Sequence, residues 1–178
     1  MLSISGGKIT ISKSCEGLEG KQILISGGEI SVVASDDGMN AAGDTQGNQR
    51  DSFAATADAL ISISDGTISV NSGGDGIDSN GSLEISGDSI IVEGPENDGN
   101  GALDYNGSGK ISGGEIIAIG SSGMAQGLTG ENQNVLAISL DAAQSGNKLT
   151  IKDSQNNTIK EIETSKKYST IVFFLLRN

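Results

Sequence analysis

The sequence predicts an all-β protein, specifically a right-handed parallel β-helix with a C-terminal cap made of β-strands and a hairpin. Three observations predict this fold: a corner tetrapeptide that recurs five times, short alternating strands at a fixed offset from it, and a composition rich in glycine and β-branched residues. The 178 residues include 27 glycines and one proline. Glycine lacks a three-residue period, which excludes collagen, and the length suits one domain with a small cap.

The corner tetrapeptide is Ile-Ser-Gly-Gly or a close variant of it. Its five copies begin at Ile4, Ile25, Ile63, Ile85 and Ile111, at intervals of 21, 38, 22 and 26 residues. The shorter intervals suit one coil of three short strands. A strand with a single apolar face cannot bury that face alone, so we expect the coils to stack about 4.8 Å apart around a dry interior. The paired glycines would form the corners, where positive φ angles are tolerated.

A short strand of alternating apolar residues follows each corner. The alignment places five isoleucines in one column, and we expect them to face the interior together: Ile9, Ile30, Ile68, Ile90 and Ile116. A β-sandwich is the alternative for short strands with regular turns, but sandwiches do not normally repeat one corner tetrapeptide five times.

The predicted coils span residues 1–127, and the longest interval between corners contains a polar insertion near residues 43–57. Residues 128–178 are predicted to form the cap, with a strand at 135–141, a hairpin at 148–163 and an apolar strand at 168–176. Because open coil ends expose backbone donors and acceptors, a covering element is expected there. The final apolar strand stops so near the last residue that we expect a truncated C-terminus.

Charge restricts the classes of partner. The net charge is −12, from 11 basic and 23 acidic residues, so a nucleic-acid partner is not expected. Metal cations, or anions bridged by them, fit this charge. The sequence has no histidine and a single cysteine, Cys15, which leaves zinc, copper and iron–sulfur chemistry poorly supplied with ligands and excludes an internal disulfide. No N-terminal signal peptide is visible, and no apolar run is long enough for membrane insertion.

A second motif, acid-Gly-apolar-acid, follows the short strands at 16–19, 37–40 and 75–78, with a looser copy at 100–104 and an uncharged echo at 122–125. Stacked coils would align these motifs in two columns. One column is predicted to contain Glu16, Asp37, Asp75 and Asn100, and the other Glu19, Asn40, Asp78 and Asp104. Carboxylates about 5 Å apart repel by about 3 kcal/mol at an effective dielectric constant near 20. Such a column must therefore take up protons or bind cations.

Calcium fits the second solution, because it takes 6–8 oxygen ligands from carboxylates, carbonyls and water. We call the predicted ligand set the acidic ladder; it consists of Glu16, Glu19, Asp36, Asp37, Asn40, Asp75, Asp78 and Asp104. The alternative is that aspartates only shape turns by bonding to nearby backbone. We adopt that interpretation for Asp65, Asp88 and Asp153, but turn formation alone does not require two carboxylates in each coil.

The stretches SDDGMNAAG (35–43), GGDGIDSNGSLEISG (73–87), GNGALDYNGSGKISGG (99–114) and SSGMAQG (121–127) resemble a family of bacterial surface proteins. These are carbohydrate-binding β-helix proteins related in fold to calcium-dependent pectate lyases, and the resemblance covers nearly the whole chain. It implies secretion or cell-surface attachment and binding of plant cell-wall polysaccharide. It also implies calcium at the Asp-Gly motifs, with ligands at Asp36, Asp37, Asn40, Asp75, Asp78 and Asp104.

These observations predict calcium-dependent binding of an acidic polysaccharide such as polygalacturonate, without catalysis, and the resemblance permits cellulose as well. Tyr105, Asn80 and Asn106 are the predicted carbohydrate contacts, with Phe53 a weaker candidate. A calcium-dependent polysaccharide lyase remains an alternative, with Lys21 or Lys110 as the base that such a reaction needs. A purely structural β-helix, such as an adhesin stalk, is the third possibility. The sequence does not indicate an oligomeric state.

Overall fold

The computed structural model describes residues 1–43, 54–87, 89–132, 134–145 and 148–175. About 60% of the chain is β-strand, and none of the described residues lies in a helix. The described part of the chain therefore contains no helix that could cross a membrane. Most of the predicted insertion at 43–57 lies outside the described residues, as do Phe53 and Asp88.

Seventeen strands make up the described structure. In chain order they are β1 (Leu2–Ile4), β2 (Lys8–Ser14), β3 (Leu18–Gly20), β4 (Gln22–Ala34), β5 (Met39–Ala41), β6 (Leu60–Ser72), β7 (Ile77–Ser79), β8 (Ser82–Ile85), β9 (Ser89–Glu93), β10 (Leu103–Tyr105), β11 (Gly109–Ile111), β12 (Glu115–Gly120), β13 (Thr129–Gly130), β14 (Leu136–Ser145), β15 (Leu149–Lys152), β16 (Thr158–Ile162) and β17 (Lys167–Leu175).

The strands form three sheets. The largest has eleven strands and runs in the order β13-β11-β8-β6-β9-β12-β17-β14, with β4 beside β6 and with β1 and β2 beside β4. A four-stranded sheet runs β10-β7-β5-β3, and β15 pairs with β16 as a separate hairpin.

The predicted right-handed parallel β-helix is wrong as a description of this fold. The strands are divided among several sheets, and the largest sheet is mixed and curls into a half-barrel. Its mixed character comes from β17, which runs antiparallel to both of its neighbours, β12 and β14. The repeat predicted parallel pairing correctly between successive repeat strands, but it carried no information about strands outside the repeat.

The predicted isoleucine column is confirmed. Ile9 pairs with Ile30, Ile30 with Ile68, Ile68 with Ile90, and Ile90 with Ile116, all across parallel strand pairs. The last four of these side chains are buried, and Ile9 is partly buried against the same core. A register error of one residue would have put the whole set on the other face of the sheet, so the offset from the corner tetrapeptide was informative.

Glycine is needed at the corners because the backbone there enters the left-handed region. Gly7 has φ of 87°, Gly28 of 112° and Gly114 of 79°. Residues with a Cβ rarely adopt such angles, whereas glycine does so at little cost. The predicted role of the Gly-Gly pairs is confirmed at these three corners.

The C-terminal strands and the hairpin were predicted correctly as elements. The hairpin β15–β16 turns at Asn156, whose φ is 68°, and the Asp153 carboxylate accepts hydrogen bonds from the backbone N–H groups of Gln155 and Asn157. Asp153 therefore has the predicted turn role. Asp65 has it too, because its carboxylate accepts from the N–H of Gly66.

The C-terminal strands also build a second apolar cluster on the outer side of β12. Ile117 and Ile119 of β12 pack there with Tyr168, Ile171 and Phe173 of β17. The hairpin residues Leu149, Ile151 and Ile159 pack against the same cluster. The division into a domain of coils and a cap remains a prediction.

Candidate metal site

The four-stranded sheet positions one column of the acidic ladder. Its strands are only three residues long, and the first residue of each is an apolar side chain buried in the core, namely Leu18, Met39, Ile77 and Leu103. Because side chains alternate along a strand, the central residues face outward. Those residues are Glu19, Asn40, Asp78 and Asp104, and they pair directly with one another across the sheet. This predicted column is confirmed.

Backbone hydrogen bonds set the register of the other column. Gly17 N–H donates to the Asp37 carbonyl at 2.9 Å, and Gly38 N–H donates to the Asp75 carbonyl at 2.9 Å. The next bond in the series runs from Gly76 N–H to the carbonyl of Gly101 at 3.0 Å. Gly101, and not Asn100, therefore occupies the fourth place. The extra residue in the motif at 100–104 shifts Asn100 out of the column, which corrects the prediction.

Three carboxylates form the centre of the ladder. Oxygen atoms of Asp37, Asp75 and Asp78, one from each, lie within 4.8 Å of one another. Asp37 Oδ1 accepts a hydrogen bond from the Asp75 N–H at 2.8 Å, and Asp75 Oδ1 accepts from the Gly101 N–H at 2.5 Å. These bonds hold two of the carboxylates in fixed orientations on successive repeats. We call Asp37, Asp75 and Asp78 the central triad.

The central triad is electrostatically strained without a cation. Burial is the largest cause that raises the pKa of Asp75 to about 7; the neighbouring carboxylates also raise it, and the hydrogen bond from the Gly101 N–H lowers it. Burial, together with the charges of Asp75, Asp104 and Asp37, raises the pKa of Asp78 to about 7. Burial is also the main cause of the raised pKa of Asp37, and the hydrogen bond from the Asp75 N–H lowers this pKa in part.

The remaining ladder carboxylates differ in their surroundings. Burial is the first cause of the raised pKa of Glu16, followed by the charges of Asp37, Asp36 and Glu19. Burial raises the pKa of Asp104, and a hydrogen bond from the Tyr105 N–H lowers it in part. No lysine or arginine is among the causes of these shifts, and burial is the first cause of each.

Two oxygen atoms in the ladder are buried without a partner among the described residues: Glu16 Oε2 and Asn40 Oδ1. The Asn40 amide nitrogen donates to Asp37 Oδ2 at 3.3 Å, so the orientation of the amide leaves its oxygen unused. An unpaired buried oxygen normally costs about 1–3 kcal/mol. The donor set of carboxylate and amide oxygens suits a hard cation such as calcium.

Glycine shapes the ladder by close approach. A Cβ on Gly74 would lie 2.5 Å from an oxygen of Asp36 and 2.5 Å from an oxygen of Asp37. A Cβ on Gly76 would lie 2.3 Å from the carbonyl oxygen of Ala102 on the next repeat. The Asp-Gly motif therefore has a steric cause, since only glycine lets successive repeats approach this closely.

The N-terminal part of the ladder is more open. Cys15, Glu16 and Asp36 each offer a ligand atom within 4.8 Å of the others, and both Cys15 and Asp36 are exposed. Glu19 is exposed as well. The structure thus brings Asp37, Asp75 and Asp78 together, with Asn40 and Asp104 beside them in the sheet, while Glu16 and Asp36 form a separate group.

At the other end of the ladder, the structure reveals a residue that the sequence did not single out. Gln126 Nε2 donates to Asp104 Oδ1 at 2.8 Å, and its Oε1 accepts from the Tyr105 N–H at 3.1 Å. In the sequence, the one hint of this role is that Gln126 directly follows the uncharged copy of the motif at 122–125.

The predicted carbohydrate contacts lie at the end of the same sheet. Asn80 and Asn106 are equivalent on successive repeats, because Asn80 N–H donates to the Ala41 carbonyl and Asn106 N–H to the Ser79 carbonyl. Tyr105 is half-buried, and its hydroxyl donates to the Gly127 carbonyl at 2.6 Å. Its ring lies against Gly109, where an added Cβ would be 2.3 Å from the ring. Tyr105 is therefore held in place by packing, and its predicted contact with sugar stays a prediction.

The two candidate bases of the lyase alternative lie in other surroundings. Lys21 forms an ion pair with Asp58. Lys110 is exposed on β11, in register with Glu84 of β8, and lines a polar groove of about 180 Å³ on the larger sheet. Neither contributes to the pKa shifts of the central triad.

The chain belongs to a family of carbohydrate-binding domain-containing proteins, whose family model matches residues 1–167. The match covers the ladder, the four-stranded sheet and the hairpin, and it ends at the first residue of β17. No curated protein and no solved structure matches the chain. The predicted carbohydrate-binding class is confirmed by this match, which indicates a carbohydrate partner.

Proposed function

We propose that the protein binds an acidic polysaccharide through calcium ions held on the acidic ladder, and that it does not cleave this polysaccharide. The observation that carries the proposal is the central triad, whose three carboxylate oxygens lie within 4.8 Å of one another. Such a group is costly when it is fully ionised and metal-free, and it is well matched to a divalent cation.

The residues that would hold calcium are Asp37, Asp75 and Asp78, with the unpaired amide oxygen of Asn40 as a neutral ligand. When bound, calcium would supply the positive charge to which uronate carboxylates and sugar hydroxyls coordinate. This charge matters because the protein carries a net charge of −12 and would otherwise repel an anionic glycan.

The lysines support binding without catalysis. A lyase needs a basic side chain close to the metal to remove a proton from the sugar. Lys21 is engaged with Asp58, and Lys110 lies on the larger sheet beside Glu84. Lys166 has a pKa lowered by burial, but its ammonium group donates to the carbonyls of Ser72, Glu93 and Gly94. An ammonium whose three donors are all used is not arranged to accept a proton.

A glycan of this class is found outside cells, so we place the protein at the cell surface or in the extracellular space. Extracellular calcium modules work with dissociation constants of about 10⁻⁴ to 10⁻³ M. The central triad is only partly buried, which is compatible with exchange of calcium at such concentrations.

The test is calorimetry and co-sedimentation with polygalacturonate, in calcium and then in excess chelator, with cellulose as a second glycan. We expect binding in calcium and its loss in chelator. Asp78→Asn should weaken calcium affinity by about tenfold, equivalent to about 1.4 kcal/mol, and should weaken glycan binding with it. Asp141→Asn changes the same charge at an exposed site on β14 and is the matched control.

Three outcomes would contradict the proposal. Glycan binding that survives complete chelation would exclude a calcium bridge. Calcium binding without any glycan binding would favour a structural stalk. Growth of the ultraviolet absorbance of unsaturated uronates, lost in Lys110→Ala or Lys21→Ala, would favour the lyase.

A further inference from the structure

The acidic ladder ends at Asp104, and a side chain closes it there. Between interior repeats, each ladder strand is bonded to the backbone of the next strand, as β5 is to β7 and β7 to β10. Beyond β10 the four-stranded sheet has no further strand among the described residues. The carboxamide of Gln126 takes the place of that strand, accepting from the Tyr105 N–H at 3.1 Å and donating to Asp104 Oδ1 at 2.8 Å.

A carboxamide satisfies both of these contacts, because it carries a donor and an acceptor in one group. A backbone N–H requires an acceptor, and an ionised carboxylate requires a donor. A glutamate at this position could accept from Tyr105 but would place a second negative charge against Asp104. A lysine could donate to Asp104 but would offer the Tyr105 N–H no acceptor in place of the Gln126 oxygen.

Neighbouring contacts fix the position of the Gln126 backbone. The Tyr105 hydroxyl donates to the carbonyl of Gly127 at 2.6 Å, which ties the residue after Gln126 to the last ladder strand. The ring of Tyr105 is itself packed against Gly109. The carboxamide is therefore held against the end of the ladder by an anchored segment.

We propose that Gln126 is the residue that terminates the row of cations, because its uncharged carboxamide occupies the place where another repeat would supply a carboxylate and, with it, a further calcium ion. This inference rests on the proposed calcium-binding function of the ladder. Gln126 is a positioning residue, since it acts through Asp104 and sets how many calcium ions the ladder takes.

The test compares wild-type protein with Gln126→Glu by calcium calorimetry, and by counting bound terbium ions from their luminescence. Gln126→Glu should bind one more ion than the wild type at neutral pH, because the introduced carboxylate and that of Asp104 form a new facing pair. Gln144→Glu is the matched control. It adds the same charge at an exposed glutamine whose amide donates to the carbonyl of Ala142, and it should keep the wild-type number of ions.

Two further variants separate the effect of the added charge on ion binding from the effect of the lost hydrogen bonds. Gln126→Met removes both contacts without adding charge, so it should lower the melting temperature and leave the number of ions unchanged. The double variant Gln126→Glu with Asp104→Asn exchanges donor and acceptor, and it should bind no more ions than the wild type.

The outcomes distinguish the two proposals. If the wild type binds calcium and Gln126→Glu gains no ion, the role of Gln126 is refuted while the proposed function stands. If Gln126→Met also gains an ion, then loosened packing and not charge sets the number of bound ions. That result would refute the proposed role of Gln126 too. If the wild type binds neither calcium nor terbium, both proposals fall together.

Discussion

At the scale of single residues, the glycines of the Asp-Gly motif decide how closely successive repeats stack. The backbone of each repeat passes directly over the glycine of the previous one, and a Cβ would collide with a carbonyl oxygen of the next repeat. This geometry sets the spacing of the neighbouring carboxylates, so the glycines control the electrostatics of the ladder although they carry no charge.

We expect Gly76→Ala to destabilise the protein by about 1–3 kcal/mol, the usual cost of overpacking a well-packed site. The new methyl group would lie 2.3 Å from both the Ala102 carbonyl oxygen and Val92 Cγ1. Chemical denaturation followed by circular dichroism gives the free energy of unfolding. Gly127→Ala is the control, because its Cβ would meet only Ala137 at an ordinary 3.7 Å. Equal stability of the two variants would contradict the steric role of Gly76.

At the scale of elements, β17 and the segment before it connect the C-terminal strands to the repeats. β17 inserts between β12 and β14, and just ahead of it the Ser165 N–H and hydroxyl donate to the Glu93 carboxylate at 2.7 and 2.9 Å. The Lys166 ammonium donates to the carbonyls of Ser72 and Gly94, which belong to different repeats. A single lysine thus joins two repeats and the C-terminal strand.

We expect Lys166→Met to lower the free energy of unfolding by about 1–3 kcal/mol, because partly buried carbonyls lose their donor while the apolar stem is kept. Lys167→Met is the control, since that side chain is exposed and it is the backbone N–H of Lys167 that donates to Glu96. Thermal melts of both variants provide the comparison. The joining role of Lys166 is refuted if Lys166→Met melts at the temperature of Lys167→Met.

At the scale of the whole molecule, stability, pH and calcium are linked through the ladder. In the folded protein the pKa values of Asp75 and Asp78 are about 7, against an ordinary value of 3.8. At any pH between about 4 and about 7, the folded state therefore holds protons that the unfolded chain has already lost. Consequently, the free energy of unfolding of the metal-free protein falls as pH rises from about 4 to about 7.

We expect calcium to reverse this trend, because it binds the ionised carboxylates of the folded state only. The melting temperature in chelator should fall from pH 5 to pH 8, because the folded protein releases in this range the protons that Asp75 and Asp78 hold. In calcium at 100 times its dissociation constant, stability at pH 8 should rise by about 2.7 kcal/mol. A metal-free melting temperature that is flat across this range would contradict the raised pKa values.

Much of the local structure was predictable from the sequence because it depends on neighbouring repeats. The offset from the corner tetrapeptide gave the isoleucine column, and the Asp-Gly motif gave the column of Glu19, Asn40, Asp78 and Asp104. The looser motif at 100–104 was misaligned by one residue, because the sequence does not tell which residue of a longer segment bulges out of register. The hairpin was predictable because its turn chemistry is local.

What the sequence by itself determined is thus the strands, the parallel pairing of the repeats and the acidic columns, since these follow from side-chain alternation and from repetition. Only the tertiary structure decided that the sheets are mixed and curled, because the direction of β17 depends on packing Phe173 and Ile171 against β12, far away in the chain. It also decided the roles of Gln126 and Lys166. Their polar groups find partners 22 and 94 residues away, and no local pattern encodes contacts at such separations.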